Sequence, residues 1–273
     1  MSLSYVVRRL LLAIPSLLGI SVVLFTVLAL APGDPFGELM TNPNVPAMRL
    51  VVTLAVLGSA QLLAVLVAIP IGILAAARPY SLFDQVANTF AFIGFSLPTF
   101  FTGLLAILLF SISLDWLPFV FQSNLSQTGL AWWWAEFKQT IMPICVLGLF
   151  QGASLVRYVR SSVLDVIRLD YVTTARSKGI GERRVLIRHV VRNALIPVVT
   201  IVALQLPIIF GGAIVTEQIF RVPGIGSLLI SSILTNDTPV VMGVTFVFAA
   251  LVIIFNLIAD LLYGLLDPRI TYR

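Results

Sequence analysis

Charge is what this sequence has least of. Of its 273 residues, 17 are basic and 12 acidic, 11% in all. A soluble domain carries about 25%. Cysteine and histidine occur once each, as Cys145 and His189. One cysteine excludes an intrachain disulfide and a cysteine-built zinc or iron–sulfur site. One histidine cannot build a metal centre, so no metal or other cofactor is expected in this chain. Lysine occurs twice, at Lys138 and Lys178, and neither is followed by Ser or Thr. The phosphate-cradling GxxxxGK[ST] loop is therefore missing, and any energy from ATP must come through another polypeptide. No GxSxG is present, and no carboxylate pair sits within an apolar run. That leaves no constellation for intramembrane hydrolysis.

Apolar residues fill the space. They make up 59% of the chain, and the mean hydropathy is +1.05. A single globule could not hide so much apolar surface. A soluble enzyme, a disordered chain and a coiled coil are excluded, and an integral membrane protein remains. A span needs about 20 apolar residues. Six runs meet that length, near 10–31, 50–77, 87–113, 139–156, 196–216 and 239–266. They are continuous rather than short and alternating, so they read as helices, not barrel strands. The expected fold is all-α: a polytopic bundle of six membrane helices.

The first run follows Arg8-Arg9 and ends at Ala29-Leu30-Ala31, which looks like a cleavage site. The run is longer than a signal peptide's apolar region, and Pro32 disfavours a cut. A retained first helix is expected. Pro15, Pro70, Pro98, Pro143 and Pro207 are expected to interrupt spans. No internal repeat is evident, which argues against a secondary transporter built from inverted halves.

Basic residues give the orientation. With the N-terminus inside, fourteen fall in cytoplasmic segments and three (Arg49, Lys138 and Arg221) fall outside. This is the positive-inside pattern. Both termini are expected in the cytoplasm, as an even number of spans requires. The net charge of +5 is then a topology signal and a contact with anionic lipid, not a nucleic-acid footprint. Trp116, Trp132, Trp133 and Trp134, between spans three and four, read as an outer interfacial belt.

The stretch from Arg157 to Leu195 is long and cytoplasmic. It holds nine of the basic residues and His189. His189 reads as an ordinary surface side chain. Residues 170–179, DYVTTARSKG, read as a short helix stopped by Gly179. A second basic amphipathic piece, Glu182–Asn193, leads to Pro197. A compact helix held off the membrane suits docking into a groove of a cytoplasmic partner.

At these residues the chain resembles the permeases of ABC importers, in their dipeptide, oligopeptide and nickel branch. Thr173-Thr174-Ala175-Arg176-Ser177-Lys178-Gly179 is similar to the loop with Glu-Ala-Ala, three residues and Gly. Further likenesses are APGDP from Ala31, SLPTF from Ser96, EQIF from Glu217 with PGIG from Pro223, and the stretch Asn256–Arg269. Two departures stand out. Thr173-Thr174 replaces Glu-Ala, and the first outside loop, Phe36–Arg49, is only 14 residues where the family has several dozen.

The resemblance implies a permease subunit and no enzyme activity of its own. It implies two parts: 1–49, a first helix with a short external loop, and 50–273, a five-helix core containing the coupling segment 157–195. It implies four kinds of partner: a second homologous permease, two P-loop ATPase subunits carrying ATP and Mg, an external solute-binding protein, and lipid. Di- and oligopeptides lead as solutes, with glutathione and nickel complexes open. It places ATPase coupling on Asp170, Tyr171, Thr173, Thr174, Ala175, Arg176, Lys178 and Gly179, with small residues such as Ala175 and Gly179 allowing close approach. Gln205, Glu217, Asn256 and Asp260 are candidates for a path or gate; the polar span residues Gln61, Gln151, Gln205 and Asn256 have two readings, lining a path or bonding between helices. Asp260 has a second reading, structural pairing with a nearby arginine. A stand-alone channel or secondary transporter is the rival, but it needs mid-membrane ionisable pairs that the spans hardly contain.

Overall fold

The computed structural model describes residues 14–16, 18–23, 26, 45–122, 125–126 and 128–266. Much of the expected first span and most of the short first loop therefore lie outside the described residues; the described part of that span within Ile14–Val23 is helical. The helices are α1 (Val45–Ala77), α2 (Leu82–Ser96), α3 (Thr99–Ala106), α4 (Leu130–Ile167), α5 (Asp170–Ser177), α6 (Arg192–Phe220), α7 (Ile225–Leu234) and α8 (Thr238–Leu266). A π-helical stretch, Ile107–Ser113, extends α3, and another, Val185–Val191, leads into α6. No strand occurs among the described residues. This is the outcome a bilayer imposes, because a helix satisfies its own backbone polar groups. Leu62, Leu66, Phe90, Phe92, Leu108 and Ile112 are more than half exposed, which suits a surface bathed in lipid.

Among the described residues, four helical segments are long and apolar enough to cross a membrane, or six if each of two bent pairs counts as one span. The third expected span is such a pair. α2 and α3 meet at 101°. The break falls at Leu97-Pro98, where Leu97 is extended (φ −82°, ψ 126°). A residue before proline disfavours the helical region, so the break is local chemistry. Pro70 and Pro143 behave otherwise and sit inside unbroken helices. Neighbouring helices and local adjustments accommodate such prolines.

α1 and α4 form the spine, running parallel and close. A Cβ added to Gly148 would stand 3.0 Å from the Ala60 carbonyl oxygen. One added to Gly152 would stand 3.5 Å from Ala64 Cα. Further along, Gly72 faces Val159. α6 runs antiparallel to α4, and the Ser162 hydroxyl donates to the Ala194 carbonyl at 2.7 Å.

Two apolar clusters follow. One gathers Ala68, Leu155, Val159, Val163, Val185, Val190 and Val198 at the end carrying the basic segment. The other gathers Val56, Leu57, Ala60, Met142, Leu147, Ala213 and Phe220 at the opposite end.

α4 begins at Leu130, nine residues before the expected span. The three adjacent tryptophans therefore ride on its first turns, with Trp133 and Trp134 largely exposed. The region between the fifth and sixth expected spans, to which no element was assigned, contains α7. Ala213–Phe220 and α7 meet at 80°. Arg221 caps α6 in the left-handed region (φ 55°), and Pro223 follows before α7 starts.

Candidate functional site

α5 is short but well bounded. Asp170 lies in its first turn and Arg176 in its last, both complementing the helix dipole. Thr174 and Ser177 hydroxyls donate back to the Asp170 and Thr173 carbonyls. The C-terminal stop is a Schellman turn. The Gly179 N–H donates to the Arg176 carbonyl at 2.9 Å, and the Ile180 N–H to the Ala175 carbonyl at 3.4 Å. Gly179 takes φ +74°, a backbone state that glycine reaches without penalty.

One face of α5 is locked to the bundle. Val172 (0% exposed) and Ala175 (6%) join the inner cluster with Val159, Val163, Val185 and Val190. The Tyr171 hydroxyl donates to the His189 carbonyl at 3.2 Å and accepts from Asn193 Nδ2 at 3.0 Å. Asn193 also donates to that carbonyl. His189 thus enters this clamp through its backbone. Arg176 spans the glycine turn to Glu182 by two hydrogen bonds, of 2.6 and 3.1 Å. This neighbour pushes the Arg176 guanidinium above its usual range.

The other face is open. Asp170, Tyr171, Thr173, Thr174, Arg176, Lys178 and Gly179 are exposed. A Cβ at Gly179 would meet nothing within 4 Å. Ala175 departs from expectation. Its small side chain points inward, where it lets the helix sit close on the core, and is not part of the outward face.

The four path candidates are not one cluster. Glu217 was expected beyond span five. It lies in the last turn of α6 and is 1% exposed. Thr53 on α1 donates to Glu217 Oε1 at 2.5 Å, and the Ser227 N–H donates to Oε2 at 3.0 Å. The Ile225 N–H donates to Thr53 Oγ1 at 2.9 Å. The carboxylate thus caps the start of α7 and ties it to α1. Gln205 is half-buried in α6. Asn256 is exposed and Asp260 half-buried, both on α8.

Asp84 and Arg160 went unrecognised in the sequence. Their ion pair joins the start of α2 to the far end of α4. The signal was present: Ser81 accepts from the Asp84 N–H, a capping arrangement that starts α2 five residues before the expected span. Nearby, Arg157 lies 4.7 Å from the centre of the Phe95 ring.

The architecture defines a polytopic helical membrane protein that presents a rigidly mounted helix on its basic face. A family model described as "Binding-protein-dependent transport system inner membrane component" matches residues 68–272. The oligopeptide transport system permease protein AppB of Bacillus subtilis is 36% identical over 98% of this chain and 99% of its own. The di/tripeptide transport system permease protein DppB of Pseudomonas aeruginosa is 34% identical over 99% of both. The dipeptide transport system permease protein DppB of Escherichia coli K12 is 33% identical, again over 99% of both. Among solved structures, an amino acid ABC transporter described with histidines superposes with a TM-score of 0.61 at 15% identity, covering 88% of this chain and 100% of the other.

The chain belongs to the family of binding-protein-dependent transport system inner membrane components. It is a permease subunit of an ABC importer and not itself an enzyme, the ATPase activity lying on partner subunits. The family also implies a substrate-binding partner. The match with AppB extends over 316 positions, more than this chain's 273 residues, so parts of that relative have no counterpart here.

Proposed function

We propose that this subunit forms half of a peptide path and takes its drive through α5. The partners are a second homologous permease, two cytoplasmic ATPase subunits with ATP and Mg, and an external solute-binding protein. The outward row of α5, from Asp170 to Gly179, rests in a groove on one ATPase. Closure of the two ATPases moves α5, and with it the ends of α4 and α6. Both termini lie in the cytoplasm. Peptides are favoured as solute because the relatives named above are oligopeptide, di/tripeptide and dipeptide permeases.

One observation carries the coupling role. α5 is stiffly joined on one side and bare on the other. A mobile loop could not pass on a push, and a helix buried all round could not receive one. The test is purification of the tagged chain in mild detergent with mass spectrometry of what accompanies it. A second permease and P-loop ATPases should co-purify, and Thr174→Trp should release the ATPases alone. Retention of the ATPases by that variant, or a chain that purifies by itself, would overturn the reading.

A further inference from the structure

α2 and α4 pack antiparallel along a seam with two unlike sides. Asp84 meets Arg160 at one end, and Gly94 faces Ala153 farther along. One side of the seam is a cavity shared with α1, and its lining, which includes Val86, Phe90, Leu149 and Val156, is apolar throughout. The other side is polar. Gln85, Asn88 and Thr89 on α2 recur there at helical spacing, as do Ser154, Arg157 and Ser161 on α4. All six are exposed or half-buried, so the subunit does not cover this side itself. Lipid tails suit the first side. The second suits water, and the route assigned above lies outside this subunit, between it and its partner permease.

Arg157 carries the charge of the polar side, and it lies deep. Its guanidinium carbon stands 4.7 Å from the centre of the Phe95 ring, which stacks on Phe150 at 5.8 Å. Neighbouring contacts give the depth. Gly94 faces Ala153, and Gly152 faces Ala64, which adjoins the middle of the span Arg49–Ala77. The headgroups begin on the order of 15 Å from the middle of a bilayer. Arg157 is therefore out of reach of a lipid phosphate.

A charge at that depth is costly and marks function by default. Among the described residues no carboxylate pairs with Arg157, and Asp84 on the same seam is already held by Arg160. Stacking on Phe95 occupies the flat face of the guanidinium. It leaves the edge, with its N–H donors, for a planar anion. A carboxylate accepts two such bonds side by side.

We propose that Arg157, seated on Phe95, binds the C-terminal carboxylate of the solute as it passes between the two permeases. The proposal rests on the reading of the solute as a peptide given above. Linear peptides of every sequence end in that group, so one cation serves them all. The polar side chains of α2 and α4 continue the route from this depth towards the cytoplasm. Because the route is hydrated, the pair is weak enough to part again.

The experiment uses the complete transporter with its binding protein in lipid vesicles. ATP-driven uptake is compared for labelled trialanine and for trialanine amide, which lacks the carboxylate. Arg157→Gln should cut uptake of trialanine tenfold or more and change uptake of the amide less than twofold. Wild type and variant share one binding protein, so its own preference cancels. The partner permease should still co-purify, and the thermal midpoint should hold. An equal fall for both solutes, or unchanged uptake of trialanine, would overturn the proposal. So would a lower midpoint or loss of the partner permease, since the group that Arg157 binds would then belong to the transporter.

A second measurement keeps Arg157 in place, and it decides where the binding protein refuses the amide. Ser154→Cys in a Cys145→Ser background puts a thiol one helical turn from Arg157. A water-soluble maleimide should label it during ATP turnover. Trialanine should slow that labelling threefold or more, and adding Arg157→Gln should abolish the slowing. No labelling would show a side that meets lipid, and slowing that survives Arg157→Gln would remove the carboxylate contact. A wild-type complex that hydrolyses ATP without taking up trialanine would overturn the solute reading itself, and this ligand with it, whereas every other outcome leaves that reading standing.

Discussion

Arg160 on α4 donates two hydrogen bonds, of 2.5 and 2.7 Å, to the two carboxylate oxygens of Asp84 at the start of α2. The Asp84 side chain is almost fully buried, and it also accepts from the Tyr80 N–H and from Asn88 Nδ2. The carboxylate thus ties the turn after α1 and the start of α2 to the helix that leads into α5. Removing one partner strands the other charge. Asp84→Ala should cost about 2–3 kcal/mol, and the apolar exchange Asp84→Leu with Arg160→Met should cost less than the single change. Thermal midpoints of the purified protein in detergent decide this. A double variant worse than the single one would show that the charges themselves stabilise the joint.

Gly179 separates folding from docking. Its φ of +74° makes any side chain there strained, yet a Cβ would meet nothing of this chain within 4 Å. Gly179→Ala should cost about 1 kcal/mol through the backbone alone. Gly179→Tyr should cost little more in stability, because the ring projects into open space. Uptake should nevertheless be abolished by tyrosine and largely kept by alanine, with both proteins present in the membrane. Equal uptake by the two variants would remove the partner contact assigned to this turn.

Much of this was legible in the sequence, for a physical reason. Continuous apolar runs permit little except helices in a bilayer, and glycine after an amphipathic stretch marks a helix end. The bounds of α5 were readable on that ground. Its inward face was not. Val172 and Ala175 look no different from surface residues until α4 and the π-helical stretch bring Val163 and Val185 against them. The prolines were misleading as a class. Pro98 breaks a span, while Pro70 and Pro143 do not, because neighbouring helices decide the outcome. α7 was missed because its ten residues fall short of the length by which spans were sought. Asp84 and Arg160 were missed because 76 residues separate them, and only the packing of α2 on α4 joins them.

Orientation can be tested with the chain's single cysteine removed. In Cys145→Ser, Asn236→Cys places a thiol in the turn between α7 and α8, and Lys178→Cys places one at the end of α5. Both sites are exposed. The excess of basic residues around α5 predicts that it faces the cytoplasm. A membrane-impermeant maleimide applied to intact cells, once through any outer envelope, should label position 236 and spare position 178 until the membrane is opened. The opposite pattern would invert the topology and remove α5 from reach of any cytoplasmic ATPase.

The Glu217 cap makes the sharpest packing prediction. A Cβ at Gly224 would fall within the Glu217 carboxylate, and one at Gly226 would lie 2.9 Å from Glu217 Oε2. Gly224→Ala therefore expels the carboxylate from its place. The Ser227 N–H, half-buried, loses its acceptor, and the buried Thr53 hydroxyl loses its partner. Each buried group left unsatisfied costs about 1–3 kcal/mol, so with two stranded the variant should lose about 2–6 kcal/mol. Glu217→Ala should lose a similar amount, since the same donors are stranded. If collision with the carboxylate is the cause, the two changes are not additive. Gly224→Ala with Glu217→Ala should then melt close to Glu217→Ala alone. Additive losses would mean that Gly224 matters for the path of the backbone between α6 and α7 rather than for the room it leaves the carboxylate.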